Sequence, residues 1–138
     1  MLRAATLDDR PELERLLADY LFEFDGRTDP YPYLDAYWTE AERLPFLIDV
    51  HGRPVGLCLI RLRDDGWSIA EFSVVPEQRR GGVGRAAVEE LADHARSAGA
   101  RYLEAKIHPH NSEALAFWTA VGFEEIPSTG VLTTRRAL

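Results

Sequence analysis

The sequence predicts an α/β (α+β) fold in which a mixed, mostly antiparallel sheet carries helices on both faces. Amphipathic helical segments alternate along the chain with short runs that have the composition of strands. Three of these strand-like runs follow one another in the middle of the chain with tight turns between them, which favours antiparallel pairing. The chain has 138 residues, of which 46% are hydrophobic, so we expect one domain over residues 1–138 with a substantial core.

The first strand is predicted over residues 2–6, and an amphipathic helix follows it. Thr6 or Asp8 suits the helix N-cap, because a short polar side chain can accept a hydrogen bond from the first free backbone N–H groups. Leucine and aromatic residues then recur at helical spacing as far as Phe24, and Gly26 provides the stop. This helix therefore has an apolar face that can pack on a sheet.

Residues 33–44 are predicted to form a second helix that ends at Pro45, because proline lacks the N–H that a helix requires. Three strands are predicted next, over residues 46–50, 55–63 and 67–75. The segments between them, HGRP and DDG, have the composition of tight turns. The three strands should therefore form an antiparallel meander.

Helices and strands alternate in the carboxyl-terminal half of the chain. A helix with one apolar face is predicted over residues 83–97, and a strand over residues 101–107. A further helix begins at Asn111 or Ser112 and ends before Gly122. Two short runs, FEEI and VLTTRRAL, form a terminal strand pair. The predicted order of elements is thus β-α-α-β-β-β-α-β-α-β-β.

Composition and charge exclude several functional classes. The formal net charge is −7, so the chain has no general basic surface for nucleic acid. The one cysteine, Cys58, lies in an apolar run and is expected to be a buried thiol, so we expect neither an intramolecular disulfide nor a cysteine-rich metal site. No apolar run approaches the roughly 18 residues of a membrane span, and no secretory signal is apparent. We therefore expect a cytoplasmic protein without metal, nucleic-acid or membrane partners.

The stretch VVPEQRRGGVGRAAVEEL, residues 74–91, places two arginines and a glycine-rich loop between a strand and a helix. A helix N-terminus presents free N–H groups and a partial positive charge, and glycine lets an anion approach them without meeting a Cβ. Arg79 and Arg80 add donors suited to phosphate oxygens. The loop therefore predicts a phosphate site, and a solvated turn with two surface arginines is the alternative interpretation.

Two common phosphate-binding motifs fit this loop poorly. A P-loop requires G-x-x-x-x-G-K-[ST], and the stretch contains no lysine. The dinucleotide fingerprint G-x-G-x-x-A is satisfied by Gly82, Gly84 and Ala87, and Glu104 follows on a predicted strand. However, PEQRRG separates the preceding strand from the first of these glycines, and the motif follows an antiparallel meander. Dinucleotide binding is therefore the weaker interpretation.

A third motif, R-x-x-G-x-G, is present as Arg79, Gly82 and Gly84 after SVVP, and this stretch resembles the acetyl-CoA loop of GNAT-superfamily N-acetyltransferases. Downstream, NSEALAFWTAVGFEE resembles the N-x-x-A-x-x-[LF]-Y-x-x-x-G-F segment of the same superfamily. The two segments occur in the expected order, and the predicted elements agree along nearly the whole chain. The resemblance implies the GNAT fold and an N-acetyltransferase that uses acetyl-CoA. The second segment matches at Asn111, Ala114, Phe117, Gly122 and Phe123.

The resemblance also implies which residues hold acetyl-CoA. In this superfamily the fourth strand splays from the fifth and leaves a slot for the pantetheine arm, and residues 72–75 correspond to its edge. The backbone N–H of Val74 or of a neighbour such as Val75 would hold the thioester carbonyl and stabilise the oxyanion. Asn111 would bond the pantetheine arm, and the segment with Ala114 and Phe117 would line the slot. The pyrophosphate would lie against Arg79, Arg80, Gly81, Gly82, Val83, Gly84 and Arg85.

The implied reaction is direct attack of a neutral amine on acetyl-CoA, which requires a base that takes the ammonium proton. Glu71 is the candidate base, because it lies on the strand that leads to the acetyl site. By strand alternation it shares a face with Ser73 and Val75. The alternative is a glutamate that is exposed on the sheet or bonded to a neighbouring strand.

The tyrosine that usually protonates the leaving thiolate in this superfamily is replaced by Trp118. An indole N–H cannot serve as a proton donor of that kind. His108, His110 or a tyrosine near the amino end could replace it, or the thiolate could leave unprotonated or by way of water. An acyl-CoA-binding module with little turnover is the second functional class that this departure leaves open.

The acceptor site is expected at the first two helices and their connecting loop, which usually form one wall of the acceptor site in this superfamily. The stretch DYLFEFDGRTDPYPYLDAYWTE is rich in aromatics and carboxylates, which suit a cationic amine, although amphipathic helix packing also explains them. We expect a small amine-bearing metabolite as acceptor, with a peptide or protein amine as the alternative, and leave a homodimer open. The candidate acceptor contacts are Tyr20, Phe24, Tyr31 and Tyr33.

Overall fold

The computed structural model describes residues 1–138, which form seven strands and four α-helices. The order of elements predicted from the sequence is confirmed. Short 3-10 turns add to it at Leu7–Asp9 and Pro76–Gln78. The strands are β1 Leu2–Ala4, β2 Arg43–Val50, β3 Arg53–Leu62, β4 Trp67–Val74, β5 Tyr102–Ile107, β6 Glu124–Ile126 and β7 Leu132–Ala137. The helices are α1 Arg10–Asp25, α2 Ala36–Thr39, α3 Val83–Ser97 and α4 Ser112–Ala120.

The strands form one sheet in the order β1-β2-β3-β4-β5-β7-β6. Every neighbouring pair is antiparallel except β4 and β5, which are parallel. These two strands pair only where Trp67–Ile69 meets Leu103–Ala105. Beyond Ile69 the backbone of β4 has no strand partner on the β5 side, so the sheet contains an open slot near its middle.

Helices cover both faces of the sheet, as the sequence predicts. α3 and α4 pack on one face over a large apolar cluster, and α1 and α2 pack on the other over a smaller one. Strand β3 contributes alternate residues to the two sides, because successive side chains of a strand point in opposite directions. Cys58 and Ile60 join the α3 side, and Leu57 and Leu59 join the α1 side.

The prediction of a second helix over residues 33–44 is largely wrong. Helix α2 has only four residues, and the chain is already extended at Arg43, so Pro45 lies inside β2 rather than after a helix. Pro45 pairs with Leu59 of β3, and its carbonyl oxygen accepts a hydrogen bond from the N–H of Ala5 at 2.9 Å. Sheet pairing on two sides therefore overrides the helical spacing of this segment.

A β-bulge at Ala70 redirects the end of β4. The pairing with β3 shifts by one residue at this point, so that Leu59 lies opposite Glu71 while the next residue of β3 lies opposite Ile69. In a regular strand Ile69 and Glu71 would share the α3 face. The extra residue instead places Glu71 on the α1 face and Phe72 on the face of α3 and α4.

Candidate active site

The candidate active site is a cleft of about 590 Å³ at the slot between β4 and β5. Its walls come from the end of β4, the glycine-rich loop, the start of α3, the end of β5, α4 and the carboxyl-terminal part of α1. Among the residues predicted from the sequence, Val75, Gly81, Val83, Tyr31 and Tyr33 do not line it. Those that do are Tyr20, Phe24, Glu71, Val74, Arg79, Arg80, Gly82, Gly84, Arg85, Asn111, Ala114 and Phe117.

The loop before α3 has the backbone geometry of an anion site. Arg80 and Gly82 have positive φ angles of 66° and 88°, a conformation that glycine adopts without strain. Ala86 donates the first helical hydrogen bond, to the carbonyl oxygen of Gly82 at 3.0 Å, so the preceding N–H groups of α3 have no helical partner. A Cβ on Gly81 or Gly82 would meet no atom within 4 Å. The space beside the loop is therefore open to an anion.

Gly84 has a packing role that the motif did not indicate. A Cβ at this position would lie 3.1 Å and 3.3 Å from ring atoms of Phe117 and 3.8 Å from the ring of Phe72. The absence of a side chain therefore lets the first turn of α3 approach the aromatic residue of α4 that lines the cleft.

The guanidinium group of Arg79 is engaged by other parts of the protein, and its contact with phosphate stays a prediction. Its Nε donates to the carbonyl oxygen of Val74 at 2.7 Å. Its two terminal nitrogens donate to the carboxylate of Glu23 on α1 at 2.8 Å and 2.6 Å. Arg80 makes no side-chain hydrogen bond or ion pair within the protein, so it is the arginine of this loop whose guanidinium remains unengaged.

The backbone of Val74 faces the slot. Val75 donates its N–H to the carbonyl oxygen of Val55 on β3 at 2.8 Å. Because successive residues of a strand direct their N–H groups to opposite sides, the N–H of Val74 points away from β3, toward the side where pairing with β5 has ended. The predicted donor for a thioester oxygen therefore has a suitable orientation.

Gly56 was missed by the sequence analysis although it shapes this strand edge. It lies opposite Val74, and a Cβ on it would fall 2.3 Å from the carbonyl oxygen of Ser73. Only a glycine allows β3 and β4 to approach this closely. An isolated glycine within the strand pattern VGLCLI was the available signal.

Glu71 lies on the α1 side of β4 and is half-buried. Burial raises the pKa of its carboxyl to about 7, while the charge of Arg27 and the nearby Tyr20 hydroxyl oppose this rise and Asp25 adds to it. The pKa values of the Tyr20 and Tyr31 hydroxyls are also raised, mainly by burial and next by the charge of Glu71. Near neutral pH, Glu71 can therefore exchange a proton while the tyrosines remain protonated.

The predicted acceptor contacts divide into two groups. Tyr20 and Phe24 lie one turn apart on α1 with ring centroids separated by 6.0 Å, and Phe24 also contacts His108 at 5.3 Å. Tyr31 packs edge-on against Tyr33 at 6.2 Å. Since Tyr33 is 57% exposed and neither residue of the second pair lines the cleft, Tyr20 and Phe24 are the better placed for an acceptor.

Trp118 is a buried core residue. Its ring lies 5.3 Å from that of Phe72 and 4.9 Å from those of Phe117 and Phe123. It is only 7% exposed, although part of it reaches the cleft. Its contacts are those of a packing residue, and its indole N–H is not an acid that could protonate a thiolate.

Asn111 acts as the N-cap of α4, as the sequence predicts. Its Oδ1 accepts a hydrogen bond from the N–H of Ala114 at 3.0 Å. Because the oxygen is used in this way, the amide NH₂ is the part of Asn111 that remains for a ligand in the cleft.

Glu104 does not have the environment of a dinucleotide-binding carboxylate. It is buried in β5, where Arg135 donates to it at 3.0 Å and the hydroxyl of Ser68 donates to it at 3.4 Å. The sheet is also mostly antiparallel rather than doubly wound. Both observations count against dinucleotide binding.

A second, shallower groove of about 910 Å³ lies over β5, β7 and the segment between β6 and β7. Its lining is mostly polar and charged, and it shares only Lys106 with the cleft. No group of three or more His, Cys, Asp or Glu side chains is arranged to hold a metal ion. None of the helices combines the length and the apolar composition needed to cross a membrane.

Comparison with known proteins agrees with this geometry. A model of the acetyltransferase (GNAT) family matches residues 10–123. The ribosomal protein bS18-alanine N-acetyltransferase of Escherichia coli K12 is 24% identical over 107 residues, which are 75% of this chain and 72% of that protein. The L-2,4-diaminobutyric acid acetyltransferase of Nocardia farcinica is 29% identical over 127 residues, which are 88% of this chain and 63% of that protein.

A solved structure with a similar fold is an acetyltransferase from Thermus thermophilus. It has a TM-score of 0.84 and 26% identity, and the match covers 100% of this chain and 96% of that one. Together with the match to the family model, the split sheet and the loop before α3 lead to one conclusion. The chain belongs to the GNAT family of acetyl-CoA-dependent N-acetyltransferases.

Proposed function

We propose that the protein transfers the acetyl group of acetyl-CoA directly to a primary amine of a small metabolite, with Glu71 as the general base. The observation that carries this proposal is the half-buried Glu71 carboxyl in the cleft, whose pKa of about 7 matches the task of removing a proton at neutral pH. It lies on the same strand as Val74, whose N–H faces the slot. The base and the oxyanion donor are therefore three residues apart on one rigid element.

Direct transfer is favoured over an acetylated enzyme. The one thiol of the chain, Cys58, is fully buried in β3, and burial raises its pKa further above the neutral range. It can therefore act neither as a thiolate nor as an acetyl carrier. With no thiol available as an acetyl carrier, we take the acceptor amine itself as the nucleophile.

The proposed roles follow from the positions of the residues. Glu71 accepts a proton from the ammonium group, and the neutral nitrogen then attacks the thioester carbonyl carbon. The N–H of Val74 stabilises the negative charge that develops on the carbonyl oxygen. The C–S bond breaks and the nitrogen gives up its second proton, so that water or His108, which lines the cleft, relays one proton from the nitrogen to the departing thiolate. The free N–H groups at the start of α3 and the guanidinium of Arg80 hold the pyrophosphate.

The surroundings of Glu71 support a small cationic acceptor. Tyr20, Phe24 and the carboxyl of Glu71 line the same part of the cleft, and aromatic rings beside a carboxylate suit an ammonium group. The relative from Nocardia farcinica is named for acetylation of a small diamino acid. A free metabolite with a primary amine is therefore the acceptor class that we propose.

A peptide or protein amine is the second candidate, and the second, shallower groove over β5 and β7 supports it. This groove adjoins the cleft at Lys106 and offers space for the residues that follow an amino terminus. The relative from Escherichia coli is named for acetylation of the alanine of a ribosomal protein. The two candidates differ in whether this groove takes part in binding.

A panel of amines tests the proposal by measuring thiol release from acetyl-CoA. The panel includes L-2,4-diaminobutyrate, simple polyamines and peptides that begin with alanine, and Glu71→Gln is measured beside the wild-type protein as the variant expected to release thiol far more slowly. Release with a small amine supports the proposal, and release with peptides alone supports the second candidate. Binding of CoA without release on any amine would instead indicate a binding module with little turnover.

A further inference from the structure

An ion pair joins helix α1 to the start of the glycine-rich loop. Arg79 and Glu23 are 56 positions apart in the chain, and two parallel hydrogen bonds of 2.8 Å and 2.6 Å connect them. This fork-to-fork arrangement fixes the relative orientation of both groups as well as their distance. The third bond of the guanidinium, 2.7 Å from Nε to the carbonyl oxygen of Val74, ties the same residue to the edge of the slot.

The position of this contact matters more than its strength. Arg79 and Glu23 are 41% and 44% exposed, and exposed ion pairs contribute little to stability. On α1, however, Glu23 lies between Tyr20 and Phe24, the two aromatic residues that line the acceptor side of the cleft. A displacement of the loop or of Val74 can therefore reach the acceptor wall through Arg79.

We infer that Arg79 is a positioning residue that couples the acetyl-CoA side of the cleft to the acceptor wall, acting through Glu23 and Val74. This inference rests on the proposed function, because it assumes that CoA occupies the loop and the slot. Binding of CoA restrains the loop. The contacts of Arg79 with Glu23 and Val74, which we call the clamp, then restrain the end of α1. The acceptor wall is therefore more strongly restrained when the acetyl donor is bound, which is a coupling between two binding sites.

Hydrogen exchange with CoA alone tests this coupling without knowledge of the acceptor. In the wild-type protein, CoA should slow exchange at the loop, residues 79–85, and at the end of α1, residues 21–26, by about fivefold or more. In Glu23→Gln the loop should remain protected while the protection of α1 is lost. Arg79→Lys keeps the positive charge but cannot make the two parallel hydrogen bonds to Glu23, so it should behave in the same way.

A matched control is available on the same helix. Glu12 pairs with Arg15 on the exposed side of α1 and does not line the cleft. Glu12→Gln therefore removes a similar exposed ion pair without touching the clamp. It should leave the CoA-induced protection of both segments as in the wild-type protein.

Kinetics provide a second readout once an acceptor has been found by the amine panel. Glu23→Gln should raise the KM for the acceptor about fivefold and leave the KM for acetyl-CoA within about twofold of wild type. A purely structural ion pair would lower the melting temperature and leave both KM values unchanged.

The possible failures can be told apart. Protection of the loop without protection of α1 in the wild-type protein, or equal protection of α1 in wild type and Glu23→Gln, would overturn the clamp and leave the proposed function intact. An absence of any CoA-induced protection at the loop would contradict the proposed function, and this inference with it.

Discussion

At the scale of single residues, the cleft shows how burial changes the chemistry of an ordinary side chain. Glu71 is a surface-type residue that the Ala70 bulge turns toward α1, where loss of solvent raises its pKa to about 7. The sequence could indicate Glu71 as a candidate and place it on one face with Ser73. It could not indicate the bulge, because no glycine or proline marks Ala70 and the shift depends on the pairing with β3.

We expect kcat/KM to rise with pH through about 7, because Glu71 must be ionised to act as a base. Glu71→Gln should lower kcat/KM by about 10²- to 10⁴-fold and flatten this rise, since general-base catalysis typically contributes that much. The measurement is a pH profile of both proteins on one acceptor. A variant that retains the wild-type profile would show that another group is the base.

The same carboxyl should make stability depend on pH. Its pKa is about 7 in the folded protein, against an ordinary value of 4.5, so its contribution is fully present below pH 4.5 and is lost as the pH rises through 7. The shift corresponds to roughly 3 kcal/mol. Urea unfolding at pH 5 and pH 8 should show this loss in the wild-type protein and a smaller loss in Glu71→Gln. Asp19→Asn, which alters an exposed carboxylate of α1, should lose as much as wild type.

At the scale of elements, the segments that connect helices and strands, and the contacts between them, were harder to predict than the elements themselves. The periodicity of α3 and the cap at Asn111 are local features, and both were predictable. The short α2 and the extended segment around Pro45 were not, because pairing with β3 decides them. The ion pair between Arg79 and Glu23 joins distant parts of the chain, so the loop motif could not predict it. The motif alone predicts only a phosphate contact for that guanidinium.

Gly84→Ala should destabilise the protein by about 1 kcal/mol or more. The new Cβ would crowd the ring of Phe117 at 3.1 Å, and this overpacking exceeds the gain in helix propensity. Thermal melting measures the effect. Gly81→Ala is the matched control, because its Cβ would meet no atom within 4 Å, and it should change stability by less than about 0.5 kcal/mol. Equal stability of the two variants would contradict the packing role of Gly84.

At the scale of the whole molecule, the sheet consists of two parts that meet only at the start of β4 and β5. One part comprises β1 to β4 with α1, the proposed acceptor wall, and the other comprises β5, β6 and β7. The resemblance to a known superfamily made this division predictable, since two motifs in the right order identify the slot. The acceptor could not be predicted, because the proposed acceptor site combines side chains from α1, β4 and the loop after β5.

A ligand that binds this slot should stabilise the whole fold. CoA at about a hundred times its dissociation constant should add roughly 2.7 kcal/mol to the free energy of unfolding, which corresponds to a rise in melting temperature on the order of 10 °C. NAD at the same concentration should have no such effect, because Glu104 is already engaged by Arg135. A rise with NAD and none with CoA would contradict the assigned ligand.

The open edge of β4 and the loop before α3, the proposed contacts of the donor, would hold parts of it that the reaction does not change. Pantetheine and pyrophosphate are the same in acetyl-CoA and in the spent CoA, and only the small acetyl group distinguishes them. The product should therefore compete with the donor for the same backbone groups. In a cell, such an enzyme responds to the ratio of acetyl-CoA to CoA rather than to acetyl-CoA alone, and its rate follows the supply of acetyl groups.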